Sequence, residues 1–233
     1  MKTVFFDLDG TLLPMDQDIF LKAYFGSLAT KMVPYGYEPQ QMIKGIWYGN
    51  ECMVKNDGRC TNEEAFWKGF EAVIPNARND ESIFEDFYHK EFQFVSASCG
   101  FEPRAAEIIA YLKERGCSLV LATNPVFPAL ATMRRIQWAG LKAEDFRWVT
   151  TFENAHFCKP NLMYYQELIQ LLALDPSQCI MIGNDVAEDM VAKQLGMDVF
   201  LLTDHLINKQ NEDISQFPHG SYPELMAFLE KAI

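Results

Sequence analysis

Residues 3–11 read TVFFDLDGT, and the fold follows from how this stretch is placed. Val4, Phe5, Phe6 and Leu8 put apolar side chains on both faces of an extended chain, interrupted only by Asp7. That pattern predicts a strand over Thr3–Leu8, buried on both sides as in a parallel sheet. Gly10 then predicts a turn around Asp9. Asp7 and Asp9 stand at i and i+2, positions that share a face of an extended strand. Carboxylates at a buried strand end must be paired, hydrogen-bonded or metal-bound, because an isolated buried charge is costly. Either aspartate alone reads as an N-cap or turn residue; both together, ahead of Gly-Thr, point to chemistry.

Working outward, similar short apolar runs recur at Ser118–Ala122, Arg147–Thr150, Cys179–Ile182 and Asp198–Leu202. Amphipathic stretches separate them. One begins near Pro103, carries Ala105, Ile108 and Leu112 on a stripe, and stops at Gly116. A second carries Leu130, Met133 and Ile136 and ends before Gly140. A third, with Leu162, Tyr165, Leu168, Ile169 and Leu172, has the clearest i, i+3, i+4 spacing. A fourth is expected over Ala187–Leu195, stopped at Gly196. Strand and helix alternating in this way predict an α/β fold with a largely parallel sheet, its strand carboxyl ends on one edge.

Residues 15–97 differ. They predict four helices, near 17–33, 38–49, 61–74 and 80–94, with no strand alternation. Thr61 and Glu64 form a capping box at the third. The expected organisation is an α/β core from 1–14 and 98–233 with a helical cap over 15–97. The polar span 204–220 reads as a surface loop with a short helical piece, and Ser221 to Glu224 as a second capping box opening a final helix.

A second acidic group, Asn184-Asp185-Val186-Ala187-Glu188-Asp189, follows an apolar run, so Asp185 is placed at another strand end with Asp189 one turn on. Magnesium favours such oxygen ligands and keeps several waters; a capped turn is the plainer reading of the cluster alone. Thr123 and Asn124 end a third strand and offer a hydroxyl and backbone amides. Lys159, before Pro160, can neutralise anionic oxygens as a point charge, although an isolated lysine is ordinarily a surface residue.

The four segments in order, DLDGT, TN, KP and GNDVAED, resemble the ordered signatures of the haloacid dehalogenase-like hydrolase superfamily, over nearly the whole chain. The resemblance implies a Rossmann-like core with an all-helical cap of the first cap type. It implies Asp7 as nucleophile and Asp9 as acid/base. It further implies Thr123 and Asn124 as phosphate-binding, with Lys159 stabilising nucleophile and phosphate. Magnesium would be held by Asp7, Asp185 and the carbonyl of Asp9, supported by Asp189. The expected activity is magnesium-dependent hydrolysis of a small phosphate monoester through an aspartyl phosphate. Dehalogenation usually lacks an acid at the second aspartate, so Asp9 points to phosphoryl chemistry. A sugar phosphomutase, and a noncatalytic phosphate-binding protein on the same scaffold, are the alternatives. Phe20, Tyr24, Lys44 and Trp47 are candidate cap contacts to substrate.

Composition limits the partners. The 233 residues carry 20 Lys+Arg against 32 Asp+Glu, a formal charge of −12, and no basic run, which speaks against a nucleic-acid polymer as partner. No run of 18 apolar residues predicts a membrane span. Six cysteines without a CxxC pair predict free thiols, and two aspartates interrupt the apolar start, so a cytoplasmic location is expected; a small phosphorylated metabolite as partner is what the resemblance implies.

Overall fold

A computed structural model describes residues 2–233. Six parallel strands form one sheet: β1 (Thr3–Phe6), β2 (Ser118–Leu121), β3 (Trp148–Val149), β4 (Cys179–Gly183), β5 (Asp198–Leu202) and β6 (His219–Gly220), in the order β3-β2-β1-β4-β5-β6. β1 lies at the centre and all four of its residues are buried. Its alternating side chains feed two cores. Val4 and Phe6 pack with Ile108 and Leu112 of α5 (Pro103–Glu114), Ile136 of α6 (Ala129–Trp138) and Leu225 of α8 (Tyr222–Ala232). Phe5 faces the other way, onto Tyr164, Tyr165 and Leu168 of α7 (Leu162–Leu171).

Register fixes where the chemistry sits. Phe6 pairs with Leu121 on one side and Ile182 on the other, so three strands end level. The Asp7 amide donates to Ile182 O at 2.9 Å and the Ala122 amide to Phe6 O at 2.7 Å. Asp7, Thr123 and Asn184 therefore leave the sheet side by side, at the point where crossovers diverge and a ligand crevice opens.

The cap consists of α1 (Gln17–Met32), α2 (Pro39–Val54), α3 (Asn62–Val73) and α4 (Glu81–His89), followed by a 3-10 segment, Phe92–Ser98. The expected fourth helix, 80–94, is thus split. α2 runs on to Val54, past the expected end at 49. The Glu64 amide donates to Thr61 Oγ1 at 3.3 Å while the Thr61 amide donates to the Glu64 carboxylate at 3.1 Å, the capping box read from sequence. Where the chain leaves and re-enters the core, Met15 bridges to Cys99 and the Gly100 amide donates to Pro14 O at 2.7 Å. The first amides of α3 reach the core: Asn62 N–H donates to Ala155 O and Glu63 N–H to Phe152 O, each at 2.8 Å.

Two expectations need correction. Residues 187–195 are not an α-helix; turns lead into a 3-10 helix at Met190–Leu195, where Asp189 is drawn inward by Lys159 and the Asp185 amide and the following turns close from i to i+3, as from the Ala192 amide to Asp189 O. The span 204–220 ends in β6, a two-residue edge strand too short to show alternation. The six cysteines are all free. Among the described residues no helix is long and apolar enough to cross a membrane.

α2 and α3 pack backbone to backbone through glycine. A Cβ on Gly69 would stand 2.8 Å from Cys52 Sγ, 3.0 Å from Gly49 Cα and 3.1 Å from Tyr48 O. Gly69→Val should therefore lower stability to urea by about 1–3 kcal/mol through overpacking. Gly26→Ala, in an open position on α1, should raise it by up to about 1 kcal/mol. Equal effects of the two substitutions would contradict this packing.

Candidate active site

Asp7, Asp9, Thr123, Asn124, Asp185 and Asp189 line one cavity of about 640 Å³ between the strand edge and the cap. Lys159 lies beneath them, 1% exposed, so it is no ordinary surface lysine. Its Nζ donates to Asp7 Oδ1 at 2.9 Å and to Asp189 Oδ1 at 2.6 Å. Burial opposes the ammonium charge, but Asp189 and Asp7 outweigh it and hold the lysine well above its ordinary proton affinity.

The first loop is tightly bound. Gly10 adopts φ +85°, and a side chain there would collide with the Asn184 amide. The Thr11 hydroxyl donates to Asn184 Oδ1 at 3.1 Å, while Asn184 Nδ2 donates to His205 O at 2.6 Å. Asn184, whose sequence position gave no signal beyond its place before Asp185, thus couples the DLDGT turn to the loop after β5. Asn124 ties two further loops: its Nδ2 donates to Glu188 at 3.1 Å and its Oδ1 accepts from the Lys159 amide at 3.2 Å.

Sequence reading missed Arg135 on α6. It is 1% exposed, and its guanidinium pairs with Asp9 Oδ2, donates to Thr132 Oγ1 at 3.2 Å and lies 4.5 Å from the Phe127 ring centroid. A buried arginine on an amphipathic helix was the available signal, but in sequence it reads as the polar side of the stripe. Asp9 Oδ1 is buried and has no hydrogen-bond partner among the described residues. Glu188 was missed too; burial lifts its carboxyl to about 8.

The electrostatics are one-sided. Burial raises Asp7 to about 7, with Lys159 pulling down and Asp189 and Asp9 pushing up. Burial also raises Asp9, against the pull of Arg135 and Lys159, and raises Asp185. Asp7, Asp9, Asp185, Glu188 and Asp189 thus share two buried cations, Lys159 and Arg135.

Among the described residues no group of three or more His, Cys, Asp or Glu is placed to hold a metal ion by itself. The donor set nevertheless suits magnesium, which takes one or two carboxylates and keeps water. Asp185 Oδ1 is occupied by the Ala187 and Glu188 amides and Asp7 Oδ1 by Lys159, leaving one oxygen of each without a hydrogen bond among the described residues.

On the cap, Phe20, Tyr24 and Trp47 line the cavity. The Tyr24 and Tyr88 hydroxyls are 2.8 Å apart. Lys44 does not line it: exposed on α2, it sits two residues from the lining Ile46, more than half a turn around the helix.

The family described as haloacid dehalogenase-like hydrolase matches residues 1–196. A phosphoglycolate phosphatase of Vibrio vulnificus (strain YJ016) is 25% identical over 209 residues, covering 87% of this chain and 84% of that protein. In structure, a 2-haloacid dehalogenase from Pseudomonas syringae pv. Tomato DC3000 aligns over 100% of both chains with TM-score 0.65 and 18% identity. A family enzyme from Bacteroides thetaiotaomicron, in complex with magnesium and inorganic phosphate, aligns over 93% of this chain and 98% of its own, with TM-score 0.53 and 17% identity. With its α/β core and helical cap, the chain belongs to the haloacid dehalogenase-like hydrolases.

Proposed function

We propose that this hydrolase is a cytoplasmic phosphatase of a small phosphate monoester, working through an aspartyl phosphate at Asp7. The observation that carries the reading is the pairing at the edge of β1: Asp7 is held by a buried lysine, and two residues on Asp9 keeps one buried oxygen without a partner. Thr123 and the amides beside Asn124 would receive the phosphoryl oxygens. The free thiols suit a reducing compartment.

In this reading one carboxylate oxygen of Asp7 attacks phosphorus in line while the other stays with the cations, and the bond from phosphorus to the ester oxygen breaks. Protonated Asp9 gives its proton to the departing oxygen. Asp9, now a carboxylate, takes a proton from water, whose oxygen attacks the phosphorus and releases inorganic phosphate and Asp7. Magnesium, held by Asp7, Asp185 and the Asp9 carbonyl, would supply positive charge for the phosphoryl oxygens. Asp189 holds Lys159 and, through the Asp185 amide at 3.0 Å, the turn that presents Asp185. Arg135 aims Asp9 and tempers its proton affinity.

Asp9 also separates this reading from dehalogenation, since a halide leaves without a proton. A mutase would have to shield the phosphorylated aspartate from water and return the group to a second hydroxyl, and a purely binding role would leave the acid/base unused. The phosphoglycolate of the Vibrio relative is not carried over as substrate.

Asp7→Asn should lower magnesium-dependent phosphate release by at least about a thousandfold across a monoester panel, in protein shown by circular dichroism to be folded at the assay temperature. Isomerisation of sugar phosphates without net phosphate release would favour the mutase instead. Magnesium affinity, followed by calorimetry, should rise with pH by up to about tenfold per unit from about 6 to about 8. The sign follows because Asp7 and Glu188, lifted to about 7 and about 8, hold protons below those values and must lose them to face a cation. A flat profile would refute this assignment. Arg135→Met should cut kcat by about 10–100-fold and move the alkaline limb of kcat/KM upward by about one pH unit, since Asp9 then keeps its proton longer. A purely structural arginine would leave that limb in place.

A further inference from the structure

The cavity above the strand edge has more room than a phosphate needs, and its volume falls in the range of sites that enclose an organic ligand. Its upper wall is aromatic. Phe25 and Trp47 meet at 5.8 Å between centroids, Phe66 stacks on Phe70 at 5.6 Å, and Phe84 lies edge-on to Trp67 at 5.9 Å. Trp67 itself is 5% exposed and lines the cavity, yet its indole N–H is buried with no partner among the described residues.

The charge on the same wall is negative. Asp18, Glu63, Glu81 and Glu85 line the cavity from the cap, and Lys209, on a core loop, is the one lysine or arginine lining it among the described residues. Arg78, behind the wall, reaches Glu63 at 3.1 Å and Glu81 at 3.5 Å. Asp18 and Glu85 have no ion pair among the described residues. A substrate carboxylate placed against this wall would lose water and meet like charge, whereas an ammonium or heteroaryl cation would meet ring faces and carboxylates together.

We propose that the organic group of the substrate is aromatic and carries a positive charge or none, and that the cap discriminates against phosphorylated acids. The phosphate end rests on the phosphatase reading above; the cap end does not depend on turnover. Recognition is divided: the strand edge takes the phosphate, the rings take the flat organic body, and Glu85, Glu81 and Asp18 set the charge preference.

The test compares 4-(aminomethyl)benzyl phosphate, benzyl phosphate, 4-carboxybenzyl phosphate and 2-phosphoglycolate with the magnesium-loaded full chain at pH 7. The kcat/KM of the ammonium ester should exceed that of the carboxylate ester by at least about fivefold, with benzyl phosphate between them and 2-phosphoglycolate lowest. Glu81→Gln/Glu85→Gln should narrow the ratio between the charged esters. A smaller ratio or a reversed order overturns the proposal while leaving the phosphatase reading intact. Calorimetric binding of the same esters to Asp7→Asn separates the two ideas: the same order of affinity without turnover by the native chain would sustain the cap preference and sink the phosphatase. Neither binding nor turnover of the ammonium ester would sink the cap preference itself.

Discussion

The ammonium of Lys159, shut away from water between the carboxylates of Asp7 and Asp189, sets the conditions for everything around it. Two carboxylates could not otherwise be held so close to a strand edge in the interior. Removing one partner of a buried ion pair leaves a stranded charge and typically costs about 3–5 kcal/mol. The lysine comes from the loop between β3 and α7, Asp7 from β1 and Asp189 from the turns after β4. A single cation thus joins three separate crossings of the chain, and the level ends of β1, β2 and β4 are what bring those crossings within its reach.

Local balance of charge explains why the site is poised rather than merely stable. Five buried or half-buried carboxylates share two cations; burial above all, and the neighbouring carboxylates after it, lift the proton affinities of Asp7 and Glu188 into the neutral range. Five ionised carboxylates against two cations would leave three negative charges unbalanced, so the frame the protein supplies is only partly neutralised.

The sheet and the four chemical segments were legible in sequence because each depends on neighbours close along the chain. VFF ahead of DLDGT marks a buried strand and its turn, and CIMIG ahead of NDVAED marks another. What escaped depends on residues far apart or on competition at short range. Arg135 is meaningful only when α6 folds back on Asp9, 126 positions away. The segment after Asp185 has helical spacing, but Asp189 within it is drawn inward by Lys159, a residue 30 positions away that local spacing does not show. Lys44 was a candidate among the cap residues, and only the packing of α2 in the folded cap shows that it is exposed and away from the cavity. β6 is an edge of two residues held by neighbours and carries no pattern of its own.

The seam between α3 and the core has a mechanical meaning. The Asn62 and Glu63 amides hang from the carbonyls of Ala155 and Phe152, and the Asn62 side chain reaches Phe157 O at 3.3 Å. That same strip of chain leads within two residues to Lys159. A tilt of the lid at this side cannot be a free swing. It has to work against hydrogen bonds anchored a few residues from the buried ammonium.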